Sequence, residues 1–165
     1  MAMKAEYINP FIKSVFDFFS TMMGCEVKRG QIAVAKNGAG TRESTALIGL
    51  GGPARGSVSI SLPFETAEKM VSRLTGANGK LEEDTLVDGT AELVNILAGS
   101  AKAKFCEDGG TPLDLSLPTV IRGEGFQIDY PSKTVWIEVP FESELGGFKL
   151  RVTFEDDVKV PNNGR

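Results

Sequence analysis

Apolar residues return every three or four positions near the start of the chain. Ile8, Phe11, Ile12, Val15, Phe18, Phe19, Met22 and Met23 share one side, and Lys13, Asp17 and Ser20 fall opposite. That spacing predicts an amphipathic helix. Asn9 and Pro10 mark its expected start, because asparagine caps well and proline at the first helical position gives up an amide that had no partner. Gly24 marks its expected end. The stripe is rich in Phe and Met and reads as core packing, with both methionines inside.

From Glu26 the period falls to two. Val27 and residues 32–34 predict strand, followed by a glycine-rich turn at 37–40. Ala46, Ile48 and Leu50 alternate, Gly51-Gly52-Pro53 turns the chain, and Val58, Ile60 and Leu62 alternate with Ser57, Ser59 and Ser61. This predicts a hairpin with one buried and one wet face. The glycines of 49–56 invite a phosphate-loop reading, but they lack a Gly-Lys-Ser/Thr ending and lie between two strands, so they read as a turn. Pro63 opens a short helix with Ala67, Met70, Val71 and Leu74 inward, closed near Gly76. Glu82, Glu83 and Asp84 precede a long helix over about 85–106, where their charge suits the helix dipole.

Past Gly109-Gly110 four strands are expected: Leu115, Leu117 and 119–121 in the first, Phe126 and Ile128 in the second, Val135, Ile137 and Val139 in the third, and Phe148, Leu150, Val152 and Phe154 in the fourth. Helix, strands, two helices, strands is the order of an α+β domain. The expected architecture is a mostly antiparallel sheet covered by the N-terminal helix and the long central one. Residues 1–158 read as one domain and 159–165 as a flexible tail.

Composition narrows the chemistry. The 165 residues are 41% hydrophobic and 24% charged, enough apolar material for a real core. The net charge of −4 comes without a basic run, which argues against nucleic acid as a partner. There is no histidine, so His-based nucleophile systems, His-ligated metals and imidazole acid–base catalysis are excluded. Cys25 and Cys106 are too few and too far apart for a zinc cluster and read as buried free thiols in a reducing cytoplasm. No stretch reaches the roughly 18 apolar residues of a membrane span, and no signal peptide is expected. Any chemistry belongs to carboxylates, amides, hydroxyls, lysines or a borrowed metal, and no cofactor of its own is expected.

The long helix has two faces. Leu86, Thr90, Val94, Leu97, Ala101 and Phe105, flanked by Leu93 and Ala98, form the side that docks on the sheet. Asp88, Glu92, Asn95, Gly99 and Lys102 form the other. A solvated face with no duty favours Glu, Lys, Gln or Ala, whereas a mid-helix glycine costs about 1 kcal/mol relative to alanine. Gly99 removes a side chain one turn beyond Asn95, and Gly89, Ser100 and Ala103 extend the low profile on one flank. The pattern is that of a docking surface.

Residues 88–102, D-G-T-A-E-L-V-N-I-L-A-G-S-A-K, resemble the signature helix of the CheC/CheX/FliY phosphatases of bacterial chemotaxis, whose core is Glu-x-x-Asn. The likeness is nearest the CheX branch, with a single copy of the motif. It extends to E-Y-I-N-P-F and V-K-R-G, to T-A-L-I-G-L and to S-L-P-T-V, covering about residues 3–154. The resemblance implies a CheC-like fold and hydrolysis of the aspartyl phosphate of a CheY-like receiver domain. It assigns Glu92 to the receiver's lysine and Asn95 to the attacking water, with Mg²⁺ held by the receiver. Asp88, Gly99 and Lys102 are then docking residues, and a homodimer and a CheD-like partner are further implied. The alternative from another class is a non-catalytic module that binds a receiver or another chemotaxis partner.

Overall fold

The computed structural model describes residues 5–34, 43–52, 55–107, 112–128 and 136–155. Helix α1 spans Ala5–Phe18 and runs into a π-helical turn, Phe19–Met23. Strands β1 (Val27–Arg29), β2 (Ala33–Val34), β3 (Glu43–Gly51) and β4 (Gly56–Pro63) follow. Helices α2 (Phe64–Thr75) and α3 (Glu83–Glu107) come next, then β5 (Asp114–Leu115), β6 (Thr119–Gly123), β7 (Ile137–Ser143) and β8 (Gly146–Phe154).

The eight described strands form one sheet in the order β1-β7-β8-β4-β3-β5, with β2 also on β7 and β6 also on β3. Every described ladder is antiparallel, as expected of an α+β domain. Both edges carry an extra residue. Arg29 pairs with Phe141 and Ala33 with Glu138, four steps on one strand against three on the other. Leu115 pairs with Leu50 and Thr119 with Leu47, again four steps against three. Each edge is thus a single strand interrupted by a bulge.

All three helices cover one face. Rings of α1 and of the π-helical turn meet the inward phenylalanines of β7 and β8: Phe11 with Phe154, Phe16 with Phe141, and Phe19 stacked on Phe148 at 5.5 Å. Val58, Ile60 and Leu62 of β4 and Ala46, Ile48 and Leu50 of β3 complete the buried row. The opposite face is not wet at its centre, contrary to the hairpin expectation, since Ser59 and Ser61 are only 4% and 5% exposed. Pairing sets them beside Arg151 and Lys149, whose long chains both reach Glu138, at 2.7 and 3.3 Å. Thr45 and Ser61 satisfy each other's hydroxyls at 2.9 Å.

Four further expectations are corrected. Helix α1 begins before Asn9, and Pro10 lies inside it. Burial of Tyr7 and Ile8 holds the extra turn, at the loss of one backbone hydrogen bond. Met22 is 44% exposed, because the widened turn, closed by the Gly24 N–H donating to the Phe19 carbonyl at 2.8 Å, buries Phe19 and Met23 instead. Phe126 and Ile128 form no strand: Gly125, at φ 63°, bends the chain there. Leu117 belongs to neither β5 nor β6, because it sits at the edge bulge ahead of Pro118. The thiols also differ from expectation. Cys106 is exposed in the last turn of α3; Cys25 is half-buried, and burial and then the Glu144 carboxylate push its thiol above the usual range. The turn at 37–40, Pro53, Val135 and the tail at 159–165 lie outside the described residues. No described helix is long and apolar enough to cross a membrane.

Helices α2 and α3 approach closely where Gly89 faces Val71, and a β-carbon on Gly89 would collide with both Val71 methyl groups. Valine is stiff at χ1 and cannot turn away. Gly89→Ala is therefore expected to lower stability by a net of about 1 kcal/mol, overpacking outweighing the gain in helix propensity. An unchanged or raised unfolding midpoint in denaturant would show that the two helices are not held at this distance.

Candidate functional site

Helix α3 is 25 residues long and is held by its apolar side. Leu86, Thr90, Leu93, Val94, Leu97, Ala98 and Ala101 are buried, as the sequence predicts, and Phe105 is half-buried against Phe11 and Phe154. Ion pairs tie down both ends. Arg122 of β6 meets Glu83 at 3.0 Å while its guanidinium lies 5.1 Å over the Phe64 ring, and Lys104 meets Asp17 of α1 at 2.6 Å. Glu83 and Asp17 are both well exposed, so these pairs orient the helix more than they stabilise it.

Between these ties the opposite face is free. Asp88 and Glu92 are exposed, and Asn95, Gly99 and Lys102 are half-buried along the same stripe. Among the described residues, none makes a hydrogen bond or ion pair with the side chains of Asp88, Glu92, Asn95 or Lys102. Nothing within the described fold uses them. Glu92 and Asn95 are one turn apart, which places their β-carbons about 5–6 Å from each other.

The two glycines of α3 differ. Gly89, expected on the low-profile surface, is buried against α2 and serves packing. Gly99 has nothing within 4 Å of the position a β-carbon would take. No contact among the described residues explains its low profile. Ser100 is half-buried and Ala103 exposed beside it.

A carboxylate accepts hydrogen bonds and attracts cations; a carboxamide both donates and accepts. Together they can pair with a cation and orient a water, without titrating in order to do so. The pair stands on an open helix face, where a group carried by another molecule can reach it. Among the described residues, no three His, Cys, Asp or Glu side chains gather as metal ligands. The sequence reading ran the edge strand through Leu117 without a break. Pro118 was the available signal for the interruption, since proline within a sheet is confined to edges and bulges.

A one-sided antiparallel sheet bearing a long helix with an open Glu-x-x-Asn face defines a CheC-like protein of the chemotaxis class. The chain belongs to the CheX family: the family model described as chemotaxis phosphatase CheX matches residues 44–142, spanning Glu92 and Asn95. The chain is 31% identical over 127 residues to the CheY-P phosphatase CheX of Thermotoga maritima, covering 76% of this chain and 81% of that protein. The crystal structure of a chemotaxis protein CheX from Desulfovibrio desulfuricans superposes with a TM-score of 0.81 at 28% identity, over 91% of this chain and 99% of that one. The fold also recurs, at TM-score 0.75 and 21% identity, in the CheX–CheY–BeF3–Mg²⁺ complex from Borrelia burgdorferi, over 93% of this chain and 100% of that one.

The open space at Gly99 makes a testable contrast with Gly89. Gly99→Ala is expected to raise stability by up to about 1 kcal/mol, the propensity difference between the two residues in a helix interior. Chemical denaturation measures it directly. A loss of stability there would mean that the face is packed in a way the fold does not display.

Proposed function

We propose that this chain is a phosphatase for the aspartyl phosphate of a CheY-like receiver, with Glu92 and Asn95 as the acting pair. The observation that carries the reading is the Glu-x-x-Asn pair on an open helix face, left without internal partners, in a member of the CheX family. In this reading the receiver contributes the phosphorylated aspartate, a lysine and the Mg²⁺. Glu92 pairs with that lysine and fixes the approach of the two proteins. Asn95 enters the receiver's site and holds a water in line with phosphorus, its carbonyl oxygen accepting a hydrogen bond from the water and its amide N–H donating one to the water oxygen.

The chemistry asks little more of the protein. The water oxygen bonds to phosphorus while the bond from phosphorus to the aspartyl oxygen breaks, releasing inorganic phosphate and a carboxylate. The proton of the attacking water passes to the phosphate or to solvent. A carboxylate with an ordinary pKa near 4 leaves without a general acid. Positioning supplies the remainder of the acceleration, and a side chain that never titrates can do it. The absence of histidine therefore accords with the reaction. Asp88, Gly99 and Lys102 act as docking residues, Gly99 by letting the receiver's backbone come close. The protein then works in the cytoplasm, alongside its receiver.

The test follows the decay of CheY-like receivers phosphorylated with acetyl phosphate, with and without catalytic amounts of the protein. Faster decay is expected, and Asn95→Ala should abolish it while changing stability by no more than ~0.5 kcal/mol. Binding without acceleration across a broad receiver panel would replace the phosphatase with a non-catalytic receiver-binding module. An Asn95→Ala variant that fails to fold would make the residue structural and undo the site assignment.

A further inference from the structure

Leu117 is 89% exposed, the most exposed of the large apolar side chains described. A lone surface leucine is unremarkable in itself. This one is held in place. It occupies the bulge between β5 and β6, followed by Pro118, and Ser116 braces it from the other side. The Ser116 hydroxyl accepts from the Gly49 N–H at 2.8 Å and donates to the Leu117 carbonyl at 3.0 Å. The Ser116 N–H donates to the Gly49 carbonyl at 2.9 Å. The backbone that carries Leu117 is thus pinned to the central sheet while its side chain is turned out into water.

Two contacts fix the course of α3 above that edge. At its start Glu83 meets Arg122 of β6, which pairs with Ser44. Near its end Phe105 meets Phe154 of β8, which pairs with Gly56 and through it lies level with Leu50. The helix therefore runs in the sense of β3 and slants from the β6 edge toward β8. Leu117 lies five residues before Arg122 along the edge strand, about 16 Å. Glu92 and Asn95 lie nine and twelve residues after Glu83 along the helix, about 14 and 18 Å. The slant shortens the helical distances along β3, so leucine and pair stand within about two strand residues of the same level. Helices α1 and α2 hold the far flank of α3, through Asp17 to Lys104 and Val71 to Gly89. The flank toward Leu117 carries no other helix among the described residues.

We infer that Leu117 is an apolar docking anchor for the phosphorylated receiver, a second point of engagement beside the Glu92/Asn95 pair. The inference rests on the phosphatase reading above. A receiver seated on the open face of α3 reaches over the low edge of the sheet, and a rigidly held leucine offers it burial at little further entropic cost. Two separated points, one polar and one apolar, fix orientation as well as affinity. That is what an in-line attack requires of a pair standing on an open helix face.

Receiver titrations with inorganic phosphate release as the readout separate the roles. Leu117→Ala is expected to raise KM about tenfold, as truncating an interface anchor does, with kcat changed by less than about twofold. Leu117→Met should return KM to near the wild-type value, since it restores apolar bulk. Sedimentation and thermal melting of each variant accompany the kinetics. An unchanged KM in Leu117→Ala overturns the inference, as does a KM change that tracks an altered oligomeric state or a lowered melting point. Acceleration that Asn95→Ala abolishes and Leu117→Ala leaves untouched keeps the phosphatase and rejects the anchor alone. Should the wild-type protein speed no receiver, phosphatase and anchor fall together.

Discussion

The burial of one side of α3 against β3 and its neighbours is the interaction on which the rest depends. Leu93, Val94, Leu97, Ala98 and Ala101 are nearly inaccessible, and together they set the rotation of the helix about its own axis. A helix turned by one residue, 100°, would bring Glu92 or Asn95 toward the sheet and expose leucines. The close approach at Gly89 fixes the distance to α2. The ion pairs at Glu83 and Lys104 fix only the ends. The residues presented on the outer face are thus specified by apolar packing on the inner one.

Much of this was legible because it is periodic. The buried and open faces of α3 follow from helical spacing, and the strands β3, β4, β7 and β8 from alternation around Ile48, Ile60, Val139 and Leu150. What was not legible depends on tertiary contacts that local sequence does not encode. Pro10 signals a helix start, and only the burial of Tyr7 and Ile8 reveals that the helix begins earlier. Ser59 and Ser61 alternate like wet positions, yet the side chains of Arg151 and Lys149 lie beside them on a neighbouring strand. Gly89 and Gly99 are the same residue on the same helix. One faces Val71 and the other open space, and no one-dimensional pattern distinguishes them.

The location of the pair on an open helix face changes what selectivity means under the proposed function. Discrimination then lies in the geometry of two protein surfaces. On the proposed reading each supplies part of the arrangement: the receiver its phosphorylated aspartate, lysine and metal, this chain its carboxylate and carboxamide. Small phosphorylated molecules lack the half that the receiver brings.

The interrupted edges of the sheet bear on how the protein behaves when crowded. An edge strand exposes a row of unpaired backbone groups, and long regular rows recruit other chains. Segments of about six or seven residues are what cross-β assembly needs. Here β1, β2, β5 and β6 have 3, 2, 2 and 5 residues, each run cut short by an extra residue that throws the next out of register. No described edge offers an uninterrupted template of fibril-forming length. Among the described residues, the free face of this eight-stranded sheet is thus bordered by edges too short to template such growth.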